Sequence, residues 1–246
     1  MDKAIYTAMN AAISYADRHS INANNLSNIS TSGFKFHIPS SKYITVRGDS
    51  FITRVFPTAT TSTHNKNPGN VNYSGNNLDV AILGEGWLAI QLEDGSEGYT
   101  KNGHIKINEE GKLTIKNFPV IGSENGALEV TPGSDLTISS DGTISAIGPG
   151  ESSKSITSVG KLKLAKSDLN DLELNENGIF ISKNNKILQS DESIRLIPNA
   201  FEESNVSAVD SIIKIIDDSR NFEMQMKLIS NISENSKISN QILTIN

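Results

Sequence analysis

Residues 5–26, IYTAMNAAISYADRHSINANNL, and residues 206–245, VSAVDSIIKIIDDSRNFEMQMKLISNISENSKISNQILTI, decide the fold of this chain. In the first stretch, small and apolar side chains recur at alternating spacings of four and three residues. That stripe consists of Ile5, Met9, Ala12, Ala16, His19, Ala23 and Leu26. The second stretch carries a similar stripe, which consists of Val206, Val209, Ile213 and Ile216 and, after a one-residue skip, of Met224, Leu228, Ile238, Ile242 and Ile245. Heptad spacing keeps one face of a helix turned toward a partner helix, so the sequence predicts two terminal helices that pair as a coiled coil.

The ends of these helices are predicted from capping residues. The N-terminal helix is expected to run from Asp2 or Lys3 to about Asn28, because the polar run that follows ends in Gly33, which tolerates a left-handed backbone. The C-terminal helix is expected to begin at Ser204 or Asn205, both good caps, and to reach about residue 243. A helix of this length is far longer than the average globular helix and is typical of an assembly element.

Between the helices the chain reads as β-structure. Residues 31–77 are rich in Ser, Thr, Asn and Pro and predict an extended linker with short strands, such as residues 43–46. Residues 78–203 predict a β-rich outer domain, since short β-type runs alternate with dipeptides that suit tight hairpin turns. These dipeptides are Asp94-Gly95, Asn102-Gly103, Glu110-Gly111, Asn125-Gly126, Asp141-Gly142 and Asn177-Gly178. Residues 104–108 and 112–116 predict one such hairpin, and residues 149–153 a loop. The predicted fold class is therefore α+β: a terminal helical domain, residues 1–30 and 204–246, and a central antiparallel β-domain.

Composition excludes several classes of function. The net charge of −6 and the lack of a Lys/Arg cluster interleaved with aromatics argue against a nucleic-acid partner. The chain has no cysteine, which excludes disulfides, thiol nucleophiles and Cys-based zinc sites. No stretch approaches the roughly 18 apolar residues that span a bilayer, and the first thirty residues lack the apolar region of a cleavable signal peptide. We therefore expect neither membrane insertion nor a cleaved leader.

No residue pattern predicts chemistry. The run Gly84-Glu85-Gly86-Trp87-Leu88-Ala89 imitates a dinucleotide fingerprint, but a strand is expected after it where that motif requires a helix. The four histidines, His19, His37, His64 and His104, stand apart from one another at no metal-ligand spacing. The paired carboxylates, Glu109-Glu110, Asp217-Asp218 and Glu202-Glu203, are expected on solvated surfaces. The sequence thus predicts no catalytic, cofactor-binding or metal-binding residues, and the protein is not expected to be an enzyme.

The composition of the two stripes favours assembly. The first is rich in alanine, and the second is interrupted by Arg220, Asn231 and Asn235, so an isolated helix pair would bury little apolar area. Such helices gain stability when neighbours surround them, with ordering coupled to binding. The alternative is one intramolecular helix pair that packs against the β-domain.

Four ordered blocks resemble bacterial flagellar rod and hook proteins. Residues 24–35, NNLSNISTSGFK, are similar to their N-terminal signature, roughly A-N-N-L-A-N-x-x-T-x-G-F-K/R. Residues 78–87 and residues 99–103 with 119–122 match two further blocks, and residues 203–209 with 220–224 resemble the C-terminal signature. The signature residues are Asn24, Asn25, Leu26, Asn28, Gly33, Phe34, Asn205, Val206, Arg220, Phe222 and Glu223.

Within the family, the opening residues 1–9, the run GWLAIQ and the short length most resemble the proximal-rod members. The resemblance implies a structural subunit that polymerises with other copies of itself and with other rod proteins into the torque-transmitting basal-body rod. It implies export by the flagellar type III machinery to the periplasm without a cleavable signal peptide. It also implies that the terminal helices form the inner coiled-coil layer and the β-domain the outer layer.

A second hypothesis comes from a different class of protein. A secreted carbohydrate-binding or hydrolytic β-domain with helical oligomerisation ends would also have a β-rich middle. Its support is the expectation that aromatic side chains such as Trp87 and Tyr99 are exposed.

Overall fold

Two α-helices and seventeen strands form the part of the chain that the computed structural model describes, namely residues 4–47, 52–124, 126–131, 133–148, 156–175, 177–183 and 186–243. The chain divides into two units. The first unit comprises residues 1–29, 36–65 and 206–246, and the second comprises residues 30–35 and 66–205. The backbone therefore passes between the units four times.

The first unit contains both helices and one long hairpin. Helix α1 spans Ala4–Ser27 and helix α2 spans Ala208–Leu243, so both predicted helices are confirmed. Strand β1 (His37–Arg47) pairs antiparallel with strand β2 (Ile52–His64). These strands are longer than the short ones that the sequence predicts, although the predicted run 43–46 does lie in β1. The predicted helix start at Asp2 or Lys3, and the stripe residue Ile245, lie outside the described residues.

Helix α2 begins later than predicted. Ser207, rather than Ser204 or Asn205, precedes the first turn, and its carbonyl oxygen accepts a hydrogen bond from the amide of Ser211 at 3.0 Å. The residues before Ser207 form backbone hydrogen bonds outside the helix. For example, the amide of Glu203 donates to the Asn70 carbonyl at 2.8 Å. The predicted cap position was wrong because these bonds involve distant parts of the chain.

The second unit is built from short antiparallel strands. The strands are β3 Val71–Tyr73, β4 Val80–Ile82, β5 Gly86–Gln91, β6 Glu97–Thr100, β7 Lys106–Ile107, β8 Leu113–Ile115, β9 Phe118–Pro119, β10 Asp135–Ile138, β11 Thr143–Ile147, β12 Ile156–Lys161, β13 Leu164–Lys166, β14 Leu172–Leu174, β15 Phe180–Ser182, β16 Leu196–Pro198 and β17 Ala200–Glu202, with a 3₁₀ helix at Leu169–Asp171. One sheet has five strands in the order β13-β5-β6-β15-β14, and two sheets have three strands in the orders β10-β11-β12 and β7-β8-β9. In addition, β4 pairs with β16, and β3 pairs with β17. The predicted α+β class with antiparallel β-structure is confirmed.

Strand β5 organises the core of this unit because both of its faces are buried. Leu88 and Ile90 point into a large cluster of Ile, Leu and Val side chains. Trp87 and Ala89 point to the opposite face, where the Trp87 ring meets the Phe180 ring at a centroid distance of 4.9 Å. Successive side chains of a strand alternate between its two faces. Because consecutive residues of β5 are apolar, the strand contributes side chains to a hydrophobic cluster on each face. The strand predicted after Gly86 is confirmed.

The predicted turns have mixed outcomes. Gly95, Gly111, Gly142 and Gly178 take positive φ angles between paired strands, as hairpin turns require. The hairpin predicted around residues 109–111 is therefore confirmed. Asn102-Gly103 does not join a hairpin: a Cβ on Gly103 would lie 1.6 Å from the Val80 carbonyl oxygen, so glycine is needed there for close approach of two backbones. Asn125 and the predicted loop at residues 149–153 lie outside the described residues.

Candidate assembly surfaces

The inward side of the helix pair is small and polar. The buried residues of the two helices are Ala8, Ala12, Asn22, Asn25, Ser211 and Asp218. The amide Nδ2 of Asn22 donates to Asp218 Oδ2 at 2.7 Å, and Arg18 Nε lies 3.3 Å from Asp218 Oδ1. These contacts join α1 to α2 through a carboxylate that is only 2% exposed. A buried ion pair contributes little net stability, but removing one of its two partners is costly because the other partner is left buried and unpaired.

Replacing this carboxylate tests its role in the first unit. Asp218→Ala leaves Asn22 Nδ2 without its acceptor and Arg18 without its ion-pair partner, and we expect the free energy of unfolding of the helix pair to fall by about 2 kcal/mol. Urea denaturation followed by far-UV circular dichroism measures the change. Asp217→Ala, at the exposed neighbouring position, is the matched control and should change stability by less than about 0.5 kcal/mol. Equal effects of the two substitutions would refute this role.

The outward side of both helices carries many large apolar side chains. On α2 the large exposed side chains include Val209, Ile212, Ile213, Ile216, Met224, Leu228, Ile238 and Ile242, and on α1 they are Tyr6, Met9 and Ile13. Ile213 is 52% exposed and Ile216 is 44% exposed. Each lies two residues from an inward position, Ser211 or Asp218, which is about 200° around a helix of 3.6 residues per turn. The buried positions of the helix pair are therefore small or polar, while large apolar side chains lie exposed among charged and polar ones.

The residues of the predicted stripes lie mainly on this outward side. On α2, seven are exposed: Val209, Ile213, Ile216, Met224, Leu228, Ile238 and Ile242. Val206, just before the helix, is buried. On α1, Met9, Ala16 and Ala23 are exposed, Ile5, His19 and Leu26 are half-buried, and Ala12 is buried. We call the seven exposed α2 residues the outer stripe.

The signature residues have different surroundings. Asn25 is buried and binds the backbone of His37 twice, through Nδ2 to its carbonyl and through Oδ1 from its amide, both at 2.8 Å. The Asn28 side chain donates to the Asn24 carbonyl at 3.0 Å, next to the half-buried Leu26. Gly33, Phe34 and Asn205 make backbone bonds in the second unit. Arg220, Phe222 and Glu223 lie exposed on α2.

Two histidines that stand apart in sequence meet at the base of the β1–β2 hairpin. His37 and His64 are cross-strand partners whose ring centroids are 4.4 Å apart at an interplanar angle of 84°. Burial, followed by repulsion from His64, lowers the pKa of His37 from 6.5 to about 4. No local sequence pattern predicts this pair, because the register of the two strands brings the rings together.

The lowered pKa of His37 predicts a pH-dependent stability of the first unit. The folded protein binds fewer protons than the unfolded chain between the two pKa values, so the contribution is complete above pH 6.5 and is lost as the pH falls toward 4. We expect a loss of about 1–2 kcal/mol, smaller than the full shift because solvent screens the partly exposed ring. Urea midpoints across this pH range measure it, and His37→Gln should reduce the slope. An unchanged slope in that variant would contradict the assignment.

Three family models match different parts of the chain. Residues 5–35 match the family "Flagella basal body rod protein", residues 81–146 match "Flagellar hook protein FlgE/F/G D1 domain", and residues 197–242 match "Flagellar basal body rod FlgEFG protein C-terminal". The flagellar basal-body rod proteins FlgF of Salmonella typhimurium and Escherichia coli are each 41% identical to this chain over 251 residues, covering 100% of both sequences. FlgF of Buchnera aphidicola subsp. Schizaphis graminum is 38% identical over the same length.

This chain belongs to the FlgF family of flagellar basal-body rod proteins. The predicted resemblance to rod proteins is thereby confirmed, as is the predicted function of a structural rod subunit of the flagellar basal body. The rod-family matches at the two ends cover α1 and α2, which carry the outward apolar side chains.

The glycan-binding alternative loses its support. Trp87 and Tyr99 were expected to be exposed, but they are 3% and 1% exposed. Trp87 Nε1 donates to the Ser167 carbonyl at 3.1 Å, and the Tyr99 hydroxyl donates to Glu97 Oε2 at 2.9 Å. The expectation was wrong because both side chains point into the core beside the central strand.

The described part of the chain has neither a cluster of metal ligands nor a membrane-spanning helix. Within it, no group of three or more His, Asp or Glu side chains is placed to hold a metal ion. Neither of its two helices is long and apolar enough to cross a membrane.

Proposed function

We propose that this chain polymerises through its terminal helices into the proximal part of the rod, with other copies of itself and other rod proteins as neighbours. The observation that carries the proposal is the outer stripe, in which seven Ile, Met, Leu and Val side chains along one side of α2 are exposed to water, with Arg220, Asn231 and Asn235 between them. Monomeric soluble proteins rarely expose large contiguous apolar patches, and such patches mark interaction sites.

The spacing of the outer stripe favours helical partners. Heptad positions lie along one face of a helix and fit between the side chains of a neighbouring helix. The outward side of α1, with Tyr6, Met9 and Ile13, offers a second apolar surface on the same unit. When two different surfaces of identical subunits meet and the rotation does not close, an open helical polymer results. In this proposal the terminal domain, residues 1–30 and 204–246, forms an inner coiled-coil layer, residues 31–77 connect it, and residues 78–203 form the outer layer.

The route to the rod is part of the same proposal. The chain would be exported by the flagellar type III machinery without cleavage of a signal peptide and would join the rod in the periplasm. Its support is the family relationship, together with an N-terminal region that lacks the apolar core of a secretory signal.

Deletion and complementation test the proposal. Cells that lack this protein should yield basal bodies without complete rods in electron micrographs and should not swim. Full-length protein should restore both properties, whereas a chain without residues 206–246 should not, even though its second unit is expected to remain folded. Normal rods in the deletion strain, or in cells that make only the truncated chain, would contradict the proposal.

A further inference from the structure

We propose that a buried ion pair, Lys35–Glu202, holds together the chain segments through which the backbone enters and leaves the second unit, and that it thereby keeps the second unit closed where mechanical load reaches it through the backbone. The load-bearing part of this inference rests on the proposed function as a rod subunit. The backbone passes between the units after residues 29, 35, 65 and 205. Every covalent path for force between the units therefore runs through these four places.

The ion pair itself is almost completely enclosed. Lys35 Nζ lies 2.6 Å from Glu202 Oε1, and the two side chains are 4% and 3% exposed. Lys35 Nζ also donates to the Asn67 carbonyl at 3.2 Å, and the Gly69 amide donates to Glu202 Oε1 at 2.9 Å. One carboxylate and one ammonium group thus connect residues 30–35, the segment that follows residue 66, and the end of β17.

Further hydrogen bonds join the same three segments. The Glu202 carbonyl oxygen accepts bonds from the Gly33 amide at 2.8 Å and from Ser32 Oγ at 2.9 Å. The Asn205 amide donates to the Phe34 carbonyl at 3.3 Å, and Asn205 Nδ2 donates to the Asn67 carbonyl at 2.8 Å. We call these residues, Ser32, Gly33, Lys35, Asn67, Gly69, Glu202 and Asn205, the clasp. Each of the four crossing points lies within a few residues of a member of the clasp.

Two backbone segments approach each other closely in the clasp. A Cβ on Gly69 would lie 2.0 Å from the Glu203 carbonyl oxygen. The nearby Lys101 side chain is already engaged, since its Nζ donates to the Gly84 carbonyl at 2.6 Å. Removing Lys35 therefore leaves the buried Glu202 carboxylate without its directly bonded cation, and the more distant charge of Lys101, which still attracts Glu202, does not replace that contact.

A second buried ion pair in the same unit provides a matched control. Lys163 Nζ lies 2.6 Å from Glu97 Oε1, with side chains that are 3% and 12% exposed. Glu97 begins β6 in the interior of the five-stranded sheet, and Lys163 precedes β13. This pair has the same chemistry and similar burial, but its residues are distant in sequence from all four crossing points.

The experiment compares Lys35→Met, Lys35→Arg and Lys163→Met in the full-length protein. In Lys35→Met, the clasp amides of Gly33, Gly69 and Asn205 should exchange with solvent deuterium about a hundredfold faster, which corresponds to about 3 kcal/mol of local opening. Lys35→Arg keeps the charge and should restore most of the protection. Lys163→Met should accelerate amides of its own sheet and leave the clasp amides slow. Equal acceleration of the clasp amides in both methionine variants would overturn the proposal.

Motility separates the clasp proposal from the proposed function. Lys35→Met cells should assemble rods but lose swimming speed in viscous medium, whereas Lys163→Met and Lys35→Arg cells should keep it. If deletion of the protein abolishes swimming but Lys35→Met cells perform like Lys163→Met cells under load, the clasp proposal fails and the rod function stands. If the deletion strain swims normally, the rod function itself fails.

Discussion

Ile213→Glu is expected to abolish incorporation of this protein into the rod while leaving the soluble protein folded. Ile213 belongs to the outer stripe and is 52% exposed in the single chain, so a carboxylate there remains in water before assembly. Exposed substitutions of this kind usually change the free energy of unfolding by less than about 0.5 kcal/mol. In the assembled rod the same carboxylate would be buried against apolar side chains, at a cost of several kcal/mol.

The size of that cost sets the expected phenotype. A loss of about 4 kcal/mol at one contact weakens association roughly a thousandfold, and the loss recurs at every copy. We expect non-motile cells and purified basal bodies that lack the variant. Ser230→Glu introduces the same charge at an exposed polar position of α2 and is the control. Normal incorporation of the Ile213→Glu protein would show that the outer stripe is not a subunit contact.

Gly33→Ala, which adds one methyl group within the N-terminal signature, should cause a large loss of stability of the second unit. Gly33 has a φ of +70°, and a Cβ there would lie 2.4 Å from the Lys101 carbonyl carbon and 2.6 Å from the Asn102 amide nitrogen. The left-handed backbone alone costs a non-glycine residue about 1 kcal/mol, and a clash with backbone atoms cannot be relieved by a side-chain rotation. We expect the free energy of unfolding of the second unit to fall by more than about 4 kcal/mol.

Gly75→Ala isolates the steric part of this effect. Gly75 has nearly the same φ, +72°, but no atom lies within 4 Å of its ideal Cβ. Its substitution should cost only about 1 kcal/mol. Trp87 is the only tryptophan in the chain and lies in the core of the second unit, so its fluorescence during urea denaturation measures both variants. Equal losses in the two variants would contradict the clash at Gly33.

Local sequence rules predicted the helices and hairpins, but not which face of each helix is buried in the single chain. Helix length and heptad spacing predicted α1 and α2, and turn dipeptides predicted four of the hairpins, because these features depend on residues close together in the chain. Heptad spacing identifies an apolar face of a helix but does not say whether that face is covered within the single chain or by a neighbouring subunit. Here Asn22 and Asp218 take the interior, while Ile213 and Ile216 remain outside.

The features that could not be predicted depend on contacts between residues far apart in sequence. Glu202 appeared only as one of two adjacent carboxylates expected in solvent, but its partner Lys35 lies 167 residues away and both are buried. The expected solvation of this carboxylate was therefore wrong. His37 and His64 likewise became neighbours only through strand register. Lys35 was recognised as the last residue of the N-terminal block, and the structure supplies the physical reason for a cation at that position.

Cysteine labelling of the outer stripe tests assembly through this surface most directly. The chain contains no cysteine, so Ile216→Cys and Glu109→Cys each provide a single reactive thiol, the first on the outer stripe and the second in an exposed turn of the second unit. Maleimide should label both variants in the soluble protein. In purified basal bodies, labelling of Ile216→Cys should fall at least about tenfold, as expected for a thiol buried between packed helices, while Glu109→Cys remains reactive. Equal labelling of Ile216→Cys in soluble protein and basal bodies would contradict assembly through the outer stripe.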